Sequence, residues 1–433
     1  MDEDDLIRPW FDHVAGTLPS DSLFDIHTHT GFNDPDGFTS APDDVTATLT
    51  AAGSQGIVMP MHEPGGYPPA NDRVLGESEA SNGRLVAFCR LDPAQAPIVE
   101  ARRCVDAGAR GIKLHPRAEG FDLAEPAVDE IFGFAHERRL PILIHAGRGI
   151  PTLALHALML SRKYPDARVI LAHGALTDLS WVWKEMPGCP NVYIDTSTWS
   201  SSDLTALLAL VPPGQILYGS DIPYFTPFLV ASLVLRCGLH VGLSTEQLAC
   251  IMGGQSRRLI RGEDPIDVGP PPGQQQVAID ILLERVYALL VMAVARMVVG
   301  EIGYEPLALA RLGCELADSG STASEAARHV LAILDRQERF AREHGTDGAP
   351  FYPGVRLIML AAGIARTPDV PLPANPDLTT AASIRGASIA GHRASEAAHL
   401  PRPVVRHGDL RRSSLADHMV ADPPPLGPKP NEE

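Results

Sequence analysis

The sequence predicts a parallel (β/α)8 barrel followed by a small α-helical C-terminal domain and a disordered tail. Three observations lead there. Short Val/Ile/Leu runs alternate eight times with amphipathic, Ala- and Leu-rich stretches, and continuous apolar runs suit parallel strands buried on both faces. Five of those runs end in a side chain able to bind a metal or carry a proton, and a barrel gathers its site at the C-terminal ends of its strands. Neither GxGxxG nor GxxxxGK[ST] occurs, whereas the rival fold, a doubly wound open sheet, usually carries a glycine-rich phosphate loop.

Taken in order, strands are expected at 23–29, 56–61, 84–90, 109–114, 141–145, 168–173, 191–195 and 215–221. Helices are expected between them, for example at 43–52, 94–107, 126–138 and 152–164. Asp43 and Asp44, after Pro42, suit a helix N-terminus. The alternation fills about 240 residues, close to the ~250 of a usual barrel, so residues 1–262 are assigned to it. Residues 263–276 read as a Pro-rich linker with Pro270, Pro271 and Pro272 in a row. Residues 277–366 read as the helical domain. Its first stretch, 277–299, is apolar, with charges at Asp280, Glu284, Arg285 and Arg296. Those charges argue against a membrane span and for a helix buried on most sides. Thr322–Ala323–Ser324–Glu325 matches a capping box, Gly345 can end that helix, and 355–364 suits one more. Residues 367–433 are rich in Pro, Ala, Ser and Arg without periodicity, a composition expected to stay disordered.

The formal net charge of −17 argues against nucleic-acid binding, which prefers basic patches. The six cysteines form no CxxC pair and several sit in apolar segments, as expected of free thiols in a reducing compartment. The acidic start Met1–Asp2–Glu3–Asp4–Asp5 does not read as a signal peptide, so a cytoplasmic location is expected. No membrane partner is expected. A homodimer contact through the helical region is the expected use of any apolar helix face left uncovered.

The function is written at the strand ends. His27 and His29 close the first apolar run. Residues i and i+2 of a strand share a face, so both imidazoles can meet one divalent metal. Lys113, His145, His173 and Asp221 end the fourth, fifth, sixth and eighth runs. His62 and Glu63 follow strand two, Arg90 ends strand three, His115 and Arg117 follow Lys113, and Arg148 follows His145. His62, His115, Arg117 and Arg148 are expected substrate contacts, and the arginines point to an anionic substrate. Asp195 ends strand seven, where it either supports the rim or acts directly.

His27–Thr28–His29, Gly111–Ile112–Lys113–Leu114–His115–Pro116, His145, His173, Asn191–Val192–Tyr193–Ile194–Asp195–Thr196–Ser197 and Tyr218–Gly219–Ser220–Asp221–Ile222–Pro223 occur in that order. The arrangement resembles the amidohydrolase superfamily, most closely amidohydrolase family 2, over roughly residues 20–262. The resemblance implies a TIM-barrel metal-dependent enzyme. It implies His27, His29, His145 and Asp221 as ligands, a set suited to zinc. It also implies His173 as a second-site ligand or as a base, Asp221 as the proton carrier, and Lys113 as a residue that some relatives carbamylate to bridge two metals. Lys113 could equally form an ion pair or anchor a substrate carboxylate.

Three functions follow. The first is a hydrolase using metal-activated water on a C–N or C–O bond of a small anionic substrate. The second is a non-oxidative decarboxylase or hydratase of a small unsaturated or aromatic acid. Lys113 inclines the resemblance toward hydrolysis, because decarboxylating relatives such as aminocarboxymuconate semialdehyde decarboxylase lack it. The third is a non-catalytic barrel serving as a partner-binding scaffold, against which the complete ligand set argues.

Overall fold

Strands form where the apolar runs lie. In the computed structural model, which describes residues 2–147, 150, 153–273, 279–315, 322–345 and 350–374, β1 is Phe24–Asp25 resumed at His29–Thr30, β2 is Gln55–Pro60, and β3 is Leu85–Ala87 resumed at Cys89–Arg90. Then come β4 Ile112–Leu114, β5 Pro141–Ile144, β6 Arg168–Leu171, β7 Val192–Asp195 and β8 Ile216–Leu217. All neighbours pair in parallel, with Phe24 opposite Gln55, Ile57 opposite Val86, Cys89 opposite Ile112, Lys113 opposite Leu143, Ile170 opposite Tyr193 and Ile194 opposite Ile216. The circle closes between β8 and β1. Ile26 N donates to Tyr218 O (2.9 Å), Asp221 N to His27 O (2.8 Å) and His29 N to Ile222 O (2.9 Å). Closure leaves no sheet edge.

The interior is a packed core of Phe24, Ile26, Ile57, Met59, Phe88, Leu143, Ile170, Tyr193 and Leu217. Side chains fill it, as in other eight-stranded barrels, so chemistry is confined to the rim. The outer helices are α2 Pro42–Ala51, α3 Pro68–Ala80, α4 Pro97–Asp106, α5 Pro126–Arg138, α6 Leu153–Lys163, α7 Ser201–Leu210 and α8 Pro227–His240; helix α1, Glu3–Ala15, precedes the barrel. Five of them open on proline, whose missing N–H costs nothing in a first turn. Helix α1 was not read from the sequence. It starts at a capping box on Asp2 and buries Ile7, Trp10, Phe11 and Val14.

Helix α8 explains how the C-terminal region attaches. Every residue from Pro227 to Gly238 is buried, because helices cover the faces that the barrel does not. Helices α1 and α7 pack on it, as does α12, Val355–Arg366. Against α12 lie α9, Ile281–Met297, and α11, Thr322–His344, and α10, Tyr304–Glu315, packs on both. Leu290, Val330 and Ile358 belong to the same apolar cluster as the barrel's outer layer. Glu3 Oε1 accepts from the first free amides of α12, at Arg356 (2.9 Å) and Leu357 (3.3 Å). The Pro-rich stretch is also tied down: Gln255 pairs with Ile266 through both its amide atoms (2.9 and 3.1 Å), and Gly273 N donates to Ala209 O (2.9 Å). No described helix is long and apolar enough to cross a membrane. All six cysteines are buried free thiols.

The packed chain runs past 366, where the sequence suggested that order would end. Arg236 on α8 is buried and donates to Thr367 Oγ1 (3.0 Å), Thr367 O (2.7 Å), Val370 O (3.4 Å) and Pro371 O (3.3 Å). The reason is electrostatic: a guanidinium removed from water needs acceptors, and this segment supplies them without any periodic pattern. A chain ending at 366 leaves Arg236 unsatisfied. It should be less stable than one ending at 374 by about 3 kcal/mol, read as a lower denaturant midpoint, and equal midpoints would refute the role.

A second test uses His329 of α11. Its Nδ1 faces Trp10 Nε1 on α1 at 3.1 Å, and an indole N–H can only donate, so the ring is neutral there. Burial, then the nearby Arg236 and Arg328, push its pKa down to about 4. The unfolded chain, at about 6.5, binds this proton first. The stability tied to the neutral ring is therefore complete above about 6.5 and is lost as pH falls toward about 4. His329→Gln, which keeps an acceptor for Trp10, should flatten this part of a melting-temperature profile; parallel profiles for the two proteins would rule it out.

Candidate metal centre

The break in β1 at Ile26–Thr28 lets His27 and His29 converge as the i, i+2 spacing predicts, with ring centroids 5.1 Å apart. Asp221 comes from the loop after β8. Its Oδ1 lies 3.3 Å from His27 Nε2 and 3.3 Å from His29 Nε2. All three residues are buried, and one ligand atom from each falls within 4.8 Å of the others. Gly219 makes the approach possible, since a Cβ there would sit 2.9 Å from His27 Cβ. Asp221 and His173 both hold the left-handed backbone region, with φ of 66° and 58°. That conformation costs of order 1–3 kcal/mol in a non-glycine residue and is typical of functional positions.

A second layer fixes the first. Asp195 Oδ2 lies 2.7 Å from His27 Nδ1. A carboxylate only accepts, so Nδ1 carries the proton and Nε2 presents its lone pair to the cluster. Asp195 Oδ1 accepts from His173 N (2.9 Å), Ser197 N (3.0 Å) and Ser197 Oγ (2.5 Å). Asp195 thus supports His27 and is not one of the three clustered residues. Asp25, to which the sequence pattern assigns no role, accepts from Ser220 N (2.9 Å) and His27 N (3.1 Å), joining β8 to β1; burial pushes its carboxyl up to about 7.

The remaining nominated residues separate. His145 Nδ1 lies 2.9 Å from His173 Nε2, so these two imidazoles pair with each other and stand outside the three-residue ligand cluster. His173 Nδ1 lies 3.1 Å from Ser197 O. Lys113 is wholly buried, and its Nζ donates to His27 Nε2 at 3.2 Å. His115 stacks on His145, with centroids 3.8 Å apart and planes 10° apart, and its Nδ1 accepts from Ala118 N (3.1 Å); it therefore also has a structural task. Arg90 is held by Glu119 at 2.7 Å, and Glu63 by Arg73 at 2.9 Å. His62, His115, Arg117, His145 and His173 line the same cavity of about 610 Å³ as the cluster. Arg148 lies outside the described residues. Ser197 closes the block 191–197 that carries the family resemblance, and its hydroxyl meets Asp195 Oδ1 (2.5 Å) and His27 Nδ1 (3.2 Å).

Electrostatics favour neutral imidazoles and a cation. Burial, then the Lys113 charge, push His27 down to about 3 and hold His29 well below its ordinary range. Burial pushes the Lys113 ammonium down to about 8, with the Asp221 charge pulling the other way. Burial opposes the ionised Asp195, yet His27 beside it holds that carboxyl below its usual range. Two neutral Nε2 atoms and one carboxylate oxygen, converging and shielded from water, fit a divalent metal by donor type, and the Asp195–His27 hydrogen bond is the usual support of such a ligand.

A family model described as amidohydrolase matches residues 24–262. No curated protein matches the sequence. Among solved structures, 2,6-dihydroxybenzoate decarboxylase from Rhizobium is 17% identical with a TM-score of 0.45, over 55% of this chain and 98% of that one. A dihydroxybenzoic acid decarboxylase from Polaromonas sp. JS666, with bound manganese and the inhibitor 2-nitroresorcinol, is 16% identical with a TM-score of 0.45, over 56% and 97%. 4-Oxalomesaconate hydratase from Rhodopseudomonas palustris is 16% identical with a TM-score of 0.43, over 55% and 96%.

Asp195→Asn should keep the fold and weaken divalent-metal binding by about 10–100-fold, the usual effect of removing a ligand's hydrogen-bond support. Competition with a chelator measures this, and unchanged affinity would remove Asp195 from the site.

Proposed function

The chain belongs to the amidohydrolase family, and from that premise we propose a metal-dependent enzyme acting on a small organic acid. The observation that carries this reading is the buried His27–His29–Asp221 cluster in the wall of a cavity of about 610 Å³ at the barrel rim. His145 and His173 complete the proposed ligand and proton-handling set, and zinc is the proposed ion among the divalent metals that imidazole donors suit. A divalent ion held there supplies Lewis-acid polarisation of an oxygen and acidifies water.

The chain's own groups have distinct tasks. Asp195 holds His27 in the tautomer that offers Nε2. Asp221, in the left-handed backbone region, presents Oδ1 to the cluster and keeps Oδ2 toward His173 Nδ1, 3.8 Å away; from there it can take a proton and return it to a leaving group. The His145–His173 pair shares one proton across 2.9 Å. Lys113, with Arg117 on the same cavity wall, attracts a carboxylate.

Hydrolysis of a C–N or C–O bond uses all of these groups. So does loss of CO2 from, or hydration of, an unsaturated or aromatic acid. The cations Lys113 and Arg117 suit an acid substrate in either reading. The three similar structures are named as two decarboxylases and a hydratase. Incubation of the purified protein with lactones, amides and aromatic or unsaturated acids, with CO2 release followed separately, distinguishes the two. No turnover of any class, in protein shown to contain metal, would overturn the enzymatic reading.

Elemental analysis should find at least one divalent metal per chain, lost from the His27→Ala/His29→Ala double variant. Asp221→Asn should retain much of its metal through the amide oxygen and lose activity by about 10²–10⁴-fold, the usual share of general acid–base catalysis. His173→Asn should lower turnover. In a mononuclear site it leaves metal content nearly intact, and in a binuclear site about half is lost. Parental turnover in Asp221→Asn would end its assignment as proton carrier.

A further inference from the structure

Helix α9 has an apolar stripe that its packing does not use up. Leu283, Val286, Leu290, Ala293, Val294 and Met297 are buried against neighbouring helices. Val291, Ala295 and Val298 recur at i, i+4 and i+7, which is one line along a helix, and this line faces the cavity that holds the metal cluster. Leu176, Trp199 and Phe225, from the barrel's own loops, continue the apolar wall. The acid-attracting groups, Lys113 and Arg117, belong to β4 and the short helix Pro116–Glu119 after it.

The position of α9 is fixed. Tyr287 OH meets Ser202 Oγ of α7 at 2.8 Å. Arg366 of α12 pairs with Glu284 and lies over the Tyr287 ring, 5.6 Å from its centroid. Held at both neighbours, the stripe is a preformed wall and not a loop that adapts. Helix α9 also lies outside residues 24–262, the part that the family model covers.

We infer that Val291 and Ala295 of α9, with Val298 just past its end, form the specificity wall of the cavity, and that the substrate joins a carboxylate head to an apolar body that lies on them. This rests on the proposed reading for the head group alone; the body is assigned by the wall. Apolar surface buried in such a contact contributes about 0.8 kcal/mol per methylene, or roughly fourfold in affinity. Polar or much shorter acids forgo that gain, so the helical segment selects among acids that the rim treats alike.

Isothermal titration of the metal-loaded full chain with straight-chain carboxylates from acetate to octanoate tests this. In the parent, affinity should rise about fourfold per added methylene until the cavity is filled. Val291→Asp should abolish the rise. Ala295→Leu, a milder change that keeps the helix, should end it at a shorter chain. Acetate, too short to lie along the wall, reports the head-group site by itself. Absence of acetate binding with the chain-length rise intact would sink the proposed metal-and-lysine anchor and leave the wall standing. A parent with no chain-length dependence, or the same rise in folded Val291→Asp and in Ala295→Leu, would overturn the inference.

Discussion

The Asp195 carboxylate is fully buried and draws three strands together at the barrel mouth. It accepts from His27 of β1, from the His173 amide after β6, and from Ser197 just beyond its own β7. A charge so far from water survives only when hydrogen bonds replace its hydration, and here every bond goes to a part of the proposed centre. The ring orientation of His27, the turn that carries His173 and the position of Ser197 share this one acceptor. Loss of the charge would loosen all three together.

Closure of the barrel has a similar economy. The β8–β1 seam is made by backbone bonds at Ile26, His29 and Asp221, the last two being members of the proposed ligand cluster. Asp25 reinforces the seam from β1 by accepting the Ser220 amide. Ligand geometry is therefore set by the same contacts that complete the fold, and the filled interior beneath it keeps the rim rigid. Around this frame, burial keeps His27 and His29 neutral, and the Lys113 charge acts in the same direction, which suits imidazoles that must offer lone pairs.

The C-terminal helices are part of the site's enclosure. Helix α8 is buried from Pro227 to Gly238 because it lies between the barrel's outer helices and α12, and through that contact α9 is brought over the cavity. The segment that resembles an appendage in sequence shares one apolar cluster with the barrel. Rim residues supply polarity and charge, and the added helix supplies hydrophobic surface.

The sequence by itself determined the strands and the residues at their ends. Parallel strands buried on both faces must be apolar, and residues meant for the rim must follow them, so His27, His29, Lys113, His145, His173 and Asp221 were legible from local pattern, and the family resemblance followed from their order. Only the tertiary structure decided how they divide. It grouped His27 and His29 with Asp221, from the first and last strands of the barrel, and paired His145 with His173. It gave Asp195 its supporting role, fastened residues 367–371 to Arg236, and turned one stripe of α9 toward the cavity. Each of these depends on contacts between residues far apart in the chain. An apolar helix face looks the same in sequence whether it meets a core, a second copy or a cavity, and a carboxylate looks the same whether it binds a cation or a histidine.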